Sequence, residues 1–283
     1  LRIGLSPLAI GLTVVAFGTS VPELLVSIDA ALSGANDISV GNVVGSNIAN
    51  IALILGVAAV LRPMVVESKV IGVDVPIMVL ATLIFLVMIA GGLVSRLEGS
   101  ILTAGLILYV WFTIRLARME ADSSDRSAQT VTVSPSNASG RLAFLITLGL
   151  VLLFVGAHLL VLSAVELAEL MNISQAAIGL TVVAVGTSLP EFATSVVACI
   201  KREGDIAIGN VVGSNCFNIL GVLGLTAVVR PLEAGGINWI DLGVMTGLAV
   251  LLGGLLLHRL FIHRVHGALL VTVFVTYTVW RLI

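Results

Sequence analysis

Two glutamates, Glu23 and Glu191, lie deep inside long apolar stretches, with no lysine or arginine at comparable depth to neutralise them. An ionised carboxylate near the centre of a bilayer is costly unless it faces a partner or a water-filled cavity. The missing partner is most simply a mobile cation. The alternative, a protonated glutamate bonded to a neighbouring helix, would have to hold twice. The surroundings are themselves written twice: residues 11–23 read GLTVVAFGTSVPE and residues 179–191 read GLTVVAVGTSLPE, a constant 168 positions later. At the same offset GNVVGSN recurs at 41–47 and 209–215, followed in step by Asn50 and Asn218.

The neighbours suggest how a cation is held. Pro22 and Pro190 lack an N–H, so the carbonyls of Gly18 and Gly186, four residues back, lose their helical donor and a break or kink is expected there. Unwound backbone at this depth is tolerated where it lines a cavity. Freed carbonyls, the hydroxyls of Thr19, Ser20, Thr187 and Ser188, and two carboxylates form an all-oxygen set, which suits hard cations such as Ca²⁺ and Na⁺. Gly41 and Gly45, like Gly209 and Gly213, give a small-residue face for close approach to the broken helix. Packing accounts for those glycines. It does not account for Ser46 and Asn50, four apart on one helical face, or for Ser214 and Asn218, which repeat them.

The elements that carry these residues are membrane helices. Mean hydropathy is +1.17, 58% of residues are hydrophobic and 11% are charged, and apolar runs long enough to span a bilayer recur. Spans are expected at 8–33, 39–61, 70–93, 98–117, 141–168, 176–199, 206–228, 237–257 and 264–282. The second half then holds five helices and the first only four, which implies an N-terminally incomplete member of a ten-helix protein. Five is odd, so the second repeat enters the membrane from the opposite side. The fold class expected is an all-α polytopic membrane protein of two inverted-topology repeats, 1–117 and 141–283. Between them runs a polar linker, 118–140. With that linker in the cytoplasm, Arg2, Arg62, Lys69, Arg115, Arg118, Arg126, Arg141, Lys201, Arg202, Arg259 and Arg264 fall inside, and Arg96, Arg230 and Arg281 outside, a strong positive-inside bias.

At GTSVPE with GNVVGSN, and GTSLPE with GNVVGSN, the chain resembles the paired alpha repeats of the cation/calcium exchanger superfamily, especially the prokaryotic sodium/calcium exchangers, over essentially its whole length. The resemblance implies that Glu23 and Glu191 are the central calcium ligands, joined by Thr19 and Thr187. It also implies that Ser20, Ser188, Ser46, Ser214 and the carbonyls of Ala16 and Ala184 complete the calcium and sodium sites, and that the helix at 141–168 slides to alternate access. Many relatives carry an acid where Asn218 stands, used by the potassium-dependent ones. Here Asn50 and Asn218 leave the charge at about −2, matched to one Ca²⁺, which puts potassium dependence in doubt. The regulatory insert of the eukaryotic relatives is missing from 118–140.

The reading is thus an antiporter of the cell membrane, exchanging Ca²⁺ for Na⁺ at one midplane site. No cofactor is expected beyond the transported ions; the partners expected are Ca²⁺, Na⁺ and the lipid bilayer, with the oligomeric state left open, and no basic cluster suggests nucleic acid. A Ca²⁺/H⁺ antiporter of the same fold stays open, since protons could compete at both glutamates. A channel needs a continuous polar pore, and the polar residues are confined to two short motifs. An intramembrane hydrolase needs a nucleophile and a base. Ser20, three residues from Glu23, is a superficial candidate, but an anionic site made twice by symmetry suits a cation better than an acyl group, so no enzyme activity is expected. Asp29 is placed near the outer mouth. His158 is read as an interior histidine, and His258, His263 and His266 as solvated at a helix connection. Cys199 and Cys216 are read as small buried hydrophobes.

Overall fold

The structure, a computed structural model, describes residues 16–64, 71–124, 170–257 and 261–283, together with isolated helical positions between 144 and 166. The first broken helix supplies two arms, α1 (Ala16–Thr19) and α2 (Val21–Leu32). There follow α3 (Asn36–Leu61), α4 (Ile71–Ile89), the short strand β1 (Leu93–Val94) and α5 (Arg96–Ser124). The second half repeats the order: α6 (Gln175–Thr187), α7 (Leu189–Ile200), α8 (Gly204–Val229), β2 (Leu232–Glu233), α9 (Trp239–Leu257) and α10 (Arg264–Leu282). Both central helices widen into π-helical turns, Ala49–Leu55 in α3 and Asn218–Leu223 in α8.

Among the described residues six helices are long and apolar enough to cross a membrane, and α6 with α7 forms a seventh candidate bent by 48°. The helices sort by depth. In α3 and α8 the most apolar windows are 83% and 89% buried, against 22% in α5 and α10. The outer helices turn Val87, Leu97, Ile107, Trp111 and Val265 outward, the apolar exterior that a bilayer requires. The central helices can be buried on every side because Gly, Ala and Ser let backbones approach closely.

Two backbone pairings show that the repeats are inverted. Val94 pairs with Leu232, and Met64 pairs with Ile262 through two hydrogen bonds of 3.1 and 2.9 Å. At the repeat offset, Met64 corresponds to Leu232 and Val94 to Ile262, so each pairing is the other with the halves exchanged. Yet α4 runs the length of the bundle from the Met64 end to the Val94 end, and α9 runs from Leu232 to Ile262. Equivalent loops therefore lie at opposite ends of the bundle.

The fourth expected span, 98–117, matches the candidate membrane span Arg96–Leu116, and the helix that carries it, α5, continues to Ser124. Ala117, Arg118, Met119, Glu120 and Ala121 are good helix formers, and nothing in that run opposes another two turns. One expectation needs correction. The breaks in the repeated helices fall at Ser20 and Ser188, not at Gly18 and Gly186. Each proline sits in the first turn of the arm that follows, where its missing N–H leaves no helical bond unmade. The remainder of the linker from 125, His158, His258 and most of the helix expected at 141–168 lie outside the described residues.

Candidate cation-binding site

The two breaks meet at the centre of the bundle, and the halves complete each other there. Ser20 donates to Oε1 of Glu191 at 3.1 Å, and Ser188 donates to Oε1 of Glu23 at 3.0 Å. Each carboxylate is thus held by the serine of the opposite repeat, and both glutamates are fully buried. The break makes this possible. Ser20 and Ser188 have φ near −85° with ψ near zero, which ends one helical arm and starts the next, so serine and glutamate leave the axis at the same level.

Around this pair lie further hydroxyls and carbonyls of the residues singled out. Ser214 reaches Oε1 of Glu191 at 3.5 Å, and Ser46 donates to the Ala184 carbonyl at 3.4 Å. Thr187 donates to the same carbonyl at 3.2 Å, and Thr19 to the Ala16 carbonyl at 3.3 Å. Those two carbonyls also keep their helical bonds from Ser188 and Ser20. They are therefore shared acceptors at the break and not wholly freed ones.

The asparagines behave less alike. Asn50 donates to Oδ1 of Asn215 at 3.0 Å, across the interface between repeats. Asn218 is fully buried, and neither atom of its amide has a hydrogen-bond partner. Both sit at the start of the π-helical turns, a distortion that recurs at functional sites.

Asn42 and Asn210, which sequence reasoning passed over, brace the glutamates from behind. Asn42 donates to the Glu23 carbonyl at 3.2 Å and to Ser27 at 3.0 Å; Asn210 donates to the Glu191 carbonyl at 3.3 Å and to Ser195 at 3.0 Å. Thr187 adds a bond to Oδ1 of Asn42 at 3.0 Å. The signal was available, since Asn42/Asn210 and Ser27/Ser195 repeat at the same offset as the glutamates. The expected glycine face is present: a Cβ on Gly41 would lie 3.1 Å from the Gly179 Cα, and one on Gly45 would lie 2.7 Å from the Ala184 Cβ and press on the Leu180 carbonyl. The helix that α3 approaches so closely is the broken one of the opposite repeat.

The electrostatics leave room for a cation. Oε2 of Glu23 and Oε2 of Glu191 have no hydrogen-bond partner. The ion pair found among the described residues, Arg281 with Asp241, lies elsewhere. Two buried carboxylates without a counter-charge, ringed by hydroxyls, amides and carbonyls, can coordinate a hard cation of one or two charges. No cluster of three His, Cys, Asp or Glu side chains that could hold a metal ion occurs among the described residues. Asp29 is exposed on α2; His263 is exposed and His266 half-buried at the start of α10; Cys199 and Cys216 are buried and free.

Comparison with known proteins adds independent findings. Residues 1–115 and 141–283 match the family described as sodium/calcium exchanger protein. The chain is 37% identical to the putative antiporter CaxA of Alkalimonas amylolytica, over 98% of this chain and 88% of that protein. It is 34% identical to the sodium/calcium exchanger MaX1 of Methanosarcina acetivorans, over 82% and 76% of the two chains. Its structure superposes on the sodium-calcium exchanger NCX_Mj soaked with Na⁺ and Sr²⁺ with a TM-score of 0.78 at 31% identity, covering 98% of this chain and 88% of that one.

Proposed function

The chain belongs to the sodium/calcium exchanger protein family, and from that premise we propose that it is an antiporter that exchanges Ca²⁺ for Na⁺ at a single site between Glu23 and Glu191. The observation that carries this reading is the reciprocal pairing of Ser20 with Glu191 and Ser188 with Glu23, which leaves one free oxygen on each of two buried carboxylates.

Two carboxylates balance one Ca²⁺ or two Na⁺, so either cargo neutralises the site, whereas the empty site carries two uncompensated charges. That difference supports exchange over leak: crossing with the site empty would leave both charges desolvated, and crossing loaded would not. Thr19, Ser20, Thr187, Ser188, Ser46 and Ser214 supply neutral oxygens, and the Ala16 and Ala184 carbonyls supply backbone ones. The orientation proposed puts the Met64–Ile262 end in the cytoplasm, because Arg62, Arg202 and Arg264 lie toward it and Arg96, Arg230 and Arg281 toward the other.

The test is calcium uptake into proteoliposomes holding the purified chain, driven separately by an outward Na⁺ gradient and an outward H⁺ gradient. Uptake driven by Na⁺ at fixed pH is the expected result. Uptake driven by H⁺ alone would assign the same site to a Ca²⁺/H⁺ antiporter, and uptake with neither gradient, at a rate linear in calcium, would indicate a channel.

A further inference from the structure

At the repeat offset, Tyr109 of α5 corresponds to Tyr277 of α10, and Thr113 to Arg281. In the second half these residues close a finished network: Tyr277 donates to Oδ1 of Asp241 at 2.8 Å, Nε of Arg281 lies 3.3 Å from the same oxygen, and the Asn238 N–H donates to Oδ2 at 2.9 Å. Asp241 is thus a buried carboxylate with a built-in cation. In the first half Asp74, on α4, is as deeply buried, at 1% exposure. Thr113 donates to its Oδ1 at 3.3 Å, and Thr113 carries no charge. Oδ2 of Asp74 has no hydrogen-bond partner, and the hydroxyl of Tyr109 lies beside the carboxylate. No lysine, arginine or histidine pairs with Asp74 among the described residues.

We propose that Asp74, Thr113 and Tyr109 form a second, peripheral site for one monovalent cation, a proton or Na⁺, in the place that Arg281 fills in the other half. Charge sets the valence: one carboxylate balances one positive charge, and a divalent ion here would leave an excess. Asp74 stands in the first turn of α4, toward the Met64–Ile262 end of the bundle. The titratable groups that face Asp74 are Tyr109 from α5 and Cys216 from α8, whose Sγ lies 3.9 Å from the Asp74 carbonyl. The other neighbour along α4 is α9, whose single acid, Asp241, sits at its far end.

The site also has a route to the central one. One turn beyond Asp74, Sδ of Met78 accepts from Asn215 of α8 at 3.7 Å, and Asn215 in turn accepts from Asn50. Loading Asp74 therefore stabilises the seam between α4, α5 and α8 on which the central asparagines rest.

The test is the melting temperature of the full chain in detergent, titrated against pH at fixed Na⁺ and against Na⁺ at fixed pH with choline as balance. Wild type and Asp74→Asn share the central site, so the difference between their curves reports Asp74 alone. The expected result is a component of on the order of 3 °C per tenfold change in the binding cation, present in wild type and absent in Asp74→Asn. A component in the pH titration alone identifies the proton, and one in the Na⁺ titration identifies the metal ion. Arg281→Thr should acquire a second component of the same kind, because Asp241 loses its built-in cation, and Thr113→Arg should lose the first. Parallel curves for wild type and Asp74→Asn in both titrations, or an Arg281→Thr protein with no new component, overturn the proposal.

Discussion

The two halves agree where they meet and differ where each stands alone. At the centre, Ser20 serves Glu191 and Ser188 serves Glu23, Asn42 and Asn210 brace the two glutamate carbonyls, and the end pairings are related by exchange of repeats. At the periphery one half neutralises a buried aspartate with Arg281 and the other leaves Asp74 to Thr113. The reason is geometric. A residue that serves the shared centre, whether through its own repeat or the other, cannot change without unbalancing both, whereas a pair at the periphery of one repeat can change by itself. Between these extremes lie the asparagines, with Asn50 bonded across the interface and Asn218 buried with its amide unused.

The largest effect should come from the carboxylates. Glu23→Gln and Glu191→Gln each keep the shape and halve the charge, so either alone should reduce calcium flux in proteoliposomes to background while the protein still elutes as a single folded species. Residual flux in one variant but not the other would break the equivalence of the halves at its core.

Close packing between repeats comes next. Gly45→Ala sets a Cβ against the Leu180 carbonyl and the Ala184 Cβ, and backbone cannot yield cheaply, so a loss of about 1–3 kcal/mol is expected. Gly105→Ala, where the nearest atom is a Leu220 methyl at 3.4 Å, is the control and should melt at or above wild type, since alanine favours helix. Equal melting temperatures for the two variants would show that the α3–α6 contact relaxes freely.

The serines sharpen the comparison. A hydrogen bond to an ionised group contributes about 1.5–3 kcal/mol, or roughly 10- to 100-fold in an equilibrium constant. Ser188→Ala leaves Oε1 of Glu23 without its cross-repeat donor, but Ser20→Ala leaves Glu191 with Ser214. Apparent calcium affinity should therefore fall in both and further in Ser188→Ala. An equal fall would mean that the Ser214 contact, at 3.5 Å, contributes nothing.

The smallest expected effect separates the asparagines. A third carboxylate near Glu23 and Glu191 cannot be charged without cost. Asn218→Asp should thus make sodium-driven calcium flux fall more steeply than wild type as the pH is lowered from about 8 to 6, as protons compete with the cargo. Asn50→Asp should show the same competition and a lower melting temperature besides, because it loses the bond to Asn215. Superimposable pH profiles for wild type and both variants would place the asparagines outside the reach of the ions.

Much of this was legible in the sequence because it is written in type and offset. The recurrence of GTSVPE as GTSLPE and of GNVVGSN determined that there are two repeats, that each buries one glutamate among hydroxyls, and that the polar groups beside it offer oxygens. Those conclusions need only composition, spacing and the cost of a charge in a bilayer. Tertiary structure decided the pairing. Nothing along the chain says that Ser20 serves Glu191 and not Glu23, since the two serines and the two glutamates are interchangeable in sequence and only the inversion of the repeats brings opposite partners to one level. It decided the position of the break, because a proline fits the first turn of a new helix as readily as it disrupts an old one. It also revealed the Asp74 and Asp241 networks, whose aspartates differ by one position in register, so a search at a fixed offset passes over them. Sequence specifies which groups must leave water; the packing of one repeat against the other determines which groups replace that water.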